Sequence, residues 1–190
     1  MKVLAVSGSP RRKGNTEVLL DAFLEGVMGA GGIPEVVRVA DLRIQACIGC
    51  GGCEKTGECV LDDDMQLLYP KIHAAHKVVL VSPIYFYGIT AQAKAFVDRC
   101  QALWSWKRIR EESGEWQNDP ARAGFLLSVA ASHGQKVFDG AILTARYAFD
   151  AMGIAYGGEF LVRGVDGRGE MAKNQEALSR AELSGKNFLS

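Results

Sequence analysis

Short apolar segments alternate along this chain with stretches whose apolar residues recur at helical spacing, and this alternation restricts the fold more than any other feature. Lys2–Val6, Glu35–Val39, Lys77–Ser82, Gly124–Ala130 and Tyr156–Val162 read as strands, with KVVLVS at 77–82 the clearest. Between them, Thr16–Met28 places Val18, Leu19, Ala22, Phe23 and Val27 at helical spacing, and Gly29, Gly31, Gly32 and Pro34 end that run. Further helical patterns cover 62–75, Ala91–Trp106, Val137–Met152 and the polar tail from Glu170 to Phe188. Asp62, Asp63 and Asp64 suit a helix N-terminus. The polar stretch Gly114–Pro120 reads as a loop.

Continuously apolar strands alternating with helices predict a parallel sheet covered on both faces, wound by right-handed crossovers. Five strand patterns favour a flavodoxin-like, doubly wound α/β fold of order 2-1-3-4-5 over the six-stranded dinucleotide fold. With 190 residues, 48% of them hydrophobic, residues 1–190 are expected to form a single domain. Ligands of such sheets sit at the carboxyl ends of the strands, near the switch between strands 1 and 3.

Three loops are predicted at that edge. GSPRRKGNT, residues 8–16, joins strand 1 to the first helix. Its backbone N–H groups and the helix N-terminus suit an anion, with Ser9, Asn15 and Thr16 as donors and Arg11 and Arg12 as charge. It has neither the Lys-Ser/Thr of a Walker loop nor G-x-G-x-x-G. SPIYFYG, residues 82–88, puts Tyr85, Phe86 and Tyr87 at the end of a buried strand, where they can flank a planar ring. AASHGQ, residues 130–135, follows strand 4 and could touch a ligand's ring, with His133 read first as a solvated residue and second as a ring contact. A phosphate cradle beside an aromatic loop implies a phosphorylated planar ligand, and FMN fits that description.

Four cysteines fall within thirteen residues, in CIGCGGCEKTGEC: Cys47, Cys50, Cys53 and Cys59. Gly49, Gly51 and Gly52 permit the φ > 0 turns that aim successive thiols inward. Four thiolates in one loop suit an iron–sulfur cubane, with one thiolate per iron. Zinc, a disulfide framework and a metal-free reactive loop are the alternatives. Cys100, outside this group, reads as a small buried hydrophobe. Trp104 and Trp106 suit either an oligomer interface or the core, and His73 and His76 read as surface residues.

Lys plus Arg equals Asp plus Glu at 22 each, so no strong field points to nucleic acid or to a membrane. The apolar run Val3–Val6 is too short for a signal-peptide core or a membrane span, and the protein is expected to be cytoplasmic.

GSPRRKGNTEVLL, CIGCGGCEKTGECVLDDDM and SPIYFYGITAQAKAFVDR together resemble the iron–sulfur flavoprotein branch of the NADPH-dependent FMN reductase family. The resemblance implies noncovalent FMN, its phosphate held by Ser9, Arg11, Asn15 and Thr16, and its ring lined by Pro83, Ile84, Tyr85, Phe86, Tyr87 and Gly88. It implies a 4Fe–4S cluster on Cys47, Cys50, Cys53 and Cys59, and homodimers that can pair into homotetramers. The expected function is electron transfer between cluster and FMN, fed by ferredoxin or NAD(P)H, with no side chain assigned to acid–base catalysis. An NAD(P)H-dependent FMN or quinone reductase without a cluster is the alternative, and a flavin/thiol redox sensor the second. The cysteine loop follows strand 2, so it is expected at the same sheet edge as the flavin loops.

Overall fold

A computed structural model describes residues 1–189. Five strands, β1 (Lys2–Ser7), β2 (Ile33–Arg38), β3 (Lys77–Pro83), β4 (Ala123–Val129) and β5 (Ala155–Val162), form one parallel sheet in the order β2-β1-β3-β4-β5. This is the order predicted from the sequence. Val6 lies beside Val37 of β2 and Leu80 of β3, so the apolar runs stack in register across the sheet centre.

Strand residues alternate between the two faces. Val3, Ala5, Val79, Val81, Phe125 and Leu127 point to one side, where α1 (Asn15–Gly29) and α8 (Gln175–Phe188) cover them. Leu4, Val6, Val78, Leu80 and Leu126 point to the other, under α3 (Leu68–Ala74), α4 (Ala91–Arg99), α5 (Gln101–Ser113) and α6 (Asp139–Ala151). Two single-turn helices, α2 (Cys53–Thr56) and α7 (Glu170–Lys173), complete the chain. Helices α1 and α8 touch backbone to backbone. A Cβ on Gly26 would meet the Glu182 carbonyl oxygen at 1.8 Å, and one on Gly185 that of Phe23 at 2.0 Å.

Three helical patterns are subdivided. The run 91–106 breaks at Cys100, whose N–H bonds to the Val97 carbonyl, and α5 then continues to Ser113. The segment 62–75 begins as a 3-10 turn, Asp64–Leu67, whose cap Asp63 accepts the Met65 N–H at 3.0 Å. The tail divides at Asn174, whose side chain caps α8 by accepting the Ala177 N–H at 3.0 Å. No proline or glycine marks the breaks at Cys100 and Asn174, which follow from capping and tertiary contacts, whereas Pro70 falls in the first turn of α3, where its missing N–H costs nothing.

Helix α4 matters most for the sites. Its cap Thr90 accepts the Ala93 N–H and donates to the Gly8 carbonyl at 2.6 Å, tying the start of α4 to the first loop. Its other end, Arg99, reaches the cysteine loop.

Candidate cofactor sites

The first site is a cavity of about 440 Å³ at the carboxyl edge of the sheet, over β1, β3 and β4. Ser9, Arg11, Gly14, Asn15 and Thr16 form one wall, and Pro83, Ile84, Tyr85 and Phe86 another. Val129, Ala131, Val165 and Asp166 close it. Gly14 caps α1 and offers no side chain to the first-turn N–H groups, so those of Asn15 and Thr16 stay available to an anion, while that of Glu17 bonds the Gly14 carbonyl. Ser9 and Thr16 are buried. The Ser9 hydroxyl accepts the Arg11 N–H at 3.3 Å, which fixes the turn. The two arginines differ: Arg12 pairs with Asp41 at 2.8 Å, whereas Arg11 has no ion pair among the described residues. Asn15 has a second duty. Its amide donates to the Gly167 carbonyl at 2.8 Å and its oxygen accepts the Met171 N–H at 3.2 Å, so it clamps the segment after β5 against the cradle.

The aromatic wall is a tight turn. Tyr85 and Gly88 exchange both backbone hydrogen bonds, at 2.9 and 3.0 Å. Phe86 and Tyr87 between them both have positive φ, 49° and 63°. Such a turn ordinarily takes Asn-Gly, and two aromatics there are strained. The strain presents Phe86 fully to solvent beside the cavity. Tyr87 and Gly88 are displaced from the expected lining. Gly88 closes the turn, and Tyr87 leans over the third loop, where a Cβ on Gly134 would meet its hydroxyl at 2.9 Å. His133 packs on Gly164 and does not line the cavity, where Ala131 represents its loop. Val165 and Asp166 had no sequence signal, because only the fold of the segment after β5 brings them there.

The second site is a cavity of about 390 Å³ lined by Cys47, Cys50, Cys53 and Cys59. All four thiols are free, two exposed and two half-buried. Gly49 and Gly51 have φ of 64° and 70°, the turns expected of them, whereas Gly52 is right-handed at φ −57° and opens α2, and Gly57 at 74° closes it. Among the described residues, no three or more His, Cys, Asp or Glu side chains converge as a metal-binding group. The donor set nonetheless suits a soft metal centre, since four cysteines line one concave space. That space far exceeds the roughly 10–15 Å³ that one water-sized occupant needs.

The loop is held by its surroundings. Helix α2 lies on α5: the Ser105 hydroxyl donates to the Cys53 sulfur at 3.6 Å and Arg108 to the Glu54 carbonyl at 3.0 Å. A Cβ on Gly57 would meet the Trp106 backbone at 2.8 Å. The Gln66 amide donates to the Cys59 and Leu61 carbonyls. Beneath them lies a buried ion pair, Arg99 to Asp63 at 2.6 Å, with side chains 0% and 4% exposed. Burial works to raise the Asp63 carboxyl, but the Arg99 hydrogen bond and the N–H groups of Gln45 and Met65 outweigh it and hold it below its ordinary value. Burial raises the Tyr69 phenol, with the Cys59 charge adding to the rise. Cys100 is buried, and burial pushes its thiol well above the ordinary range, in keeping with a packing role.

The two cavities share no residue. The expectation that the cysteine loop sits at the flavin edge is corrected here: the chain leaves β2 at that edge, but it runs back along α4. Leu42 and Ile44 pack into the core on the way, and the thiols lie at the far end of that helix. Nine helical residues make α4 about 14 Å long.

Residues 1–161 match the family described as NADPH-dependent FMN reductase. The chain belongs to that family. Within it, an iron-sulfur flavoprotein of Methanocaldococcus jannaschii is 37% identical over 114 residues, 60% of this chain and 59% of the relative. One of Archaeoglobus fulgidus is 41% identical over 99 residues, 52% and 45% of the two chains. The chain thus spans about half the length of these curated relatives. A putative NAD(P)H-dependent FMN-containing oxidoreductase of Bacillus subtilis is 23% identical over 95% of this chain and 94% of its own. Among solved structures, an NAD(P)H:quinone oxidoreductase from Methanothermobacter marburgensis superposes with a TM-score of 0.70 over 100% of this chain and 96% of its own, at 20% identity, which supports the fold. No helix among the described residues is long and apolar enough to cross a membrane.

Proposed function

We propose that this chain is an FMN-dependent oxidoreductase that carries a 4Fe–4S cluster on Cys47, Cys50, Cys53 and Cys59 and exchanges electrons between cluster and flavin. The observation behind this reading is the pairing of two separate cavities on one helix: an uncapped α1 N-terminus facing an aromatic turn at the start of α4, and four free thiols at its end. When bound, FMN supplies a two-electron centre and the cluster a one-electron centre.

The chain's own part is binding and orientation. Ser9, Arg11, Thr16 and the backbone N–H groups of α1 hold the phosphate, while Asn15 acts through its clamp on residues 167–171. Pro83, Ile84, Tyr85 and Phe86 line the ring, with Tyr87 and Gly88 shaping the turn. Residues 1–190 act as one unit, with the cysteine loop an insertion on its helical face. Exposed Trp104, Leu143 and Tyr147 on α5 and α6 accord with a homodimer or homotetramer. The electron donor is ferredoxin or NAD(P)H.

A cluster-free NAD(P)H-dependent FMN or quinone reductase is the second reading. It is favoured by the unconverged thiols and by the Bacillus subtilis relative, which matches across almost the whole chain. Anaerobic reduction separates the two. On the first reading, reduced ferredoxin bleaches the flavin of the wild type and fails with Cys50→Ala. If NADPH bleaches both equally and ferredoxin neither, the second reading holds.

A further inference from the structure

Arg99 is the largest fully buried side chain among the described residues. It ends α4, whose other buried residues, Ala93 and Phe96, are apolar. Its Nη1 donates to the Gln45 carbonyl at 3.0 Å and to Asp63 at 2.6 Å, and its Nη2 to the Leu61 carbonyl at 3.4 Å. The guanidinium therefore holds the chain on both sides of the cysteine run. Its Nε donor is different. Arg99 Nε is buried with no partner among the described residues. An unsatisfied donor on a charged group is costly and calls for an acceptor. Arg99 also forms part of the wall of the four-cysteine cavity. Four thiolates concentrate negative charge, and sulfur held in such a centre accepts hydrogen bonds that set its potential.

We propose that Arg99 is the resident cation of the cysteine site: its Nε–H donates to a sulfur of the bound cluster, and its charge favours the reduced over the oxidised state. This rests on the cluster reading above. One-electron reduction adds one negative charge to the centre and makes or breaks no bond, so a fixed cation in its wall stabilises the product more than the reactant. Asp63, which does not line the cavity, pairs with the cation at 2.6 Å and keeps it in place.

The test uses anaerobically prepared holoprotein, titrated with dithionite and followed by EPR. Arg99→Gln with Asp63→Asn removes the pair together and strands no buried charge. The expected result, read on the fraction that retains its iron, is a reduction constant about tenfold lower, a 59 mV fall for a one-electron couple. Arg99→Lys, which keeps the charge and loses Nε–H, is expected to fall between. Full iron with an unchanged potential in the double variant overturns the proposal. Should that variant lose its iron, the wild type decides. With 15Nε-labelled arginine, pulsed EPR of the reduced cluster is expected to show coupling to an arginine nitrogen that Arg99→Lys abolishes. Iron-loaded wild type without that coupling also overturns it. Wild type that binds FMN but takes up no iron overturns the cluster reading itself, and this inference with it.

Discussion

The flavin cavity and the cysteine cavity are of similar size, but they are built by different means. Backbone elements form the first: strand ends, the start of α1, and a turn closed by two main-chain hydrogen bonds. Its buried polar side chains, Ser9 and Thr16, are small. The second is a loop laid across helices and held by side chains, chiefly Arg99, Asp63, Gln66 and Ser105, with its cysteines exposed or half-buried. The first is therefore shaped before its ligand arrives. In the second the cysteines line one space without converging, and binding a metal centre supplies the remaining order. In one small fold, the shape of one site comes from topology and that of the other from a few anchors, so mutations should separate the two.

The largest separation is expected from Cys50→Ala. Iron and sulfide should fall to a small fraction of wild type while FMN stays near one per chain, read by metal analysis and flavin release. Joint loss of both cofactors would mean that the cavities are not independent. Next comes Asp63→Ala, which leaves the Arg99 charge buried and unpaired. Removing one partner of such a pair costs roughly 3–5 kcal/mol. The loss should appear as faster proteolysis near residues 45–63 and as iron release, with FMN retained. Acid gives a parallel test. Asp63 is held below its ordinary 3.8, so its contribution is complete above that value and is lost as the pH falls through the lower, folded one. Loop opening that begins well above pH 4 would contradict the assignment of Asp63 as the anchor.

Smaller effects are expected in the flavin cavity. Arg11→Ala should weaken FMN by about tenfold to a hundredfold, the worth of a charge-assisted hydrogen bond of roughly 1.5–3 kcal/mol. Arg12→Ala should do less, because Arg12 is engaged by Asp41. Titration of apoprotein with FMN gives both values. Phe86→Asn is expected to raise stability by about 1 kcal/mol, since asparagine tolerates the left-handed region, while weakening FMN. A thermal melt of the apoprotein and an FMN titration read the two halves of that trade. Lower stability in the melt would show that Phe86 is not strained in its turn.

The sheet order and the edge that carries the flavin loops were legible in the sequence because continuous apolar runs and helical spacing are local signals. Eight of the expected flavin residues line the cavity for the same reason: they lie on the two loops that continue β1 and β3. Tyr87 and Gly88 diverged because positive φ at consecutive aromatics turns the chain away, which no propensity suggests. Asn15's clamp and the contribution of Val165 and Asp166 depend on contacts more than 150 positions apart in one case and across strands in the other. The course of the cysteine loop was equally hidden. Strand 2 points to the flavin edge, yet the buried pair between Asp63 and Arg99 fixes the loop at the opposite end of α4, and a pair 36 positions apart leaves no local mark.

The most direct test of this account is an anaerobic purification in which iron, sulfide, zinc and FMN are counted per chain. The account expects about four iron and about four sulfide beside about one FMN. FMN with zinc, or with no metal, would contradict it and make the cysteine loop a structural element of a plain flavin reductase.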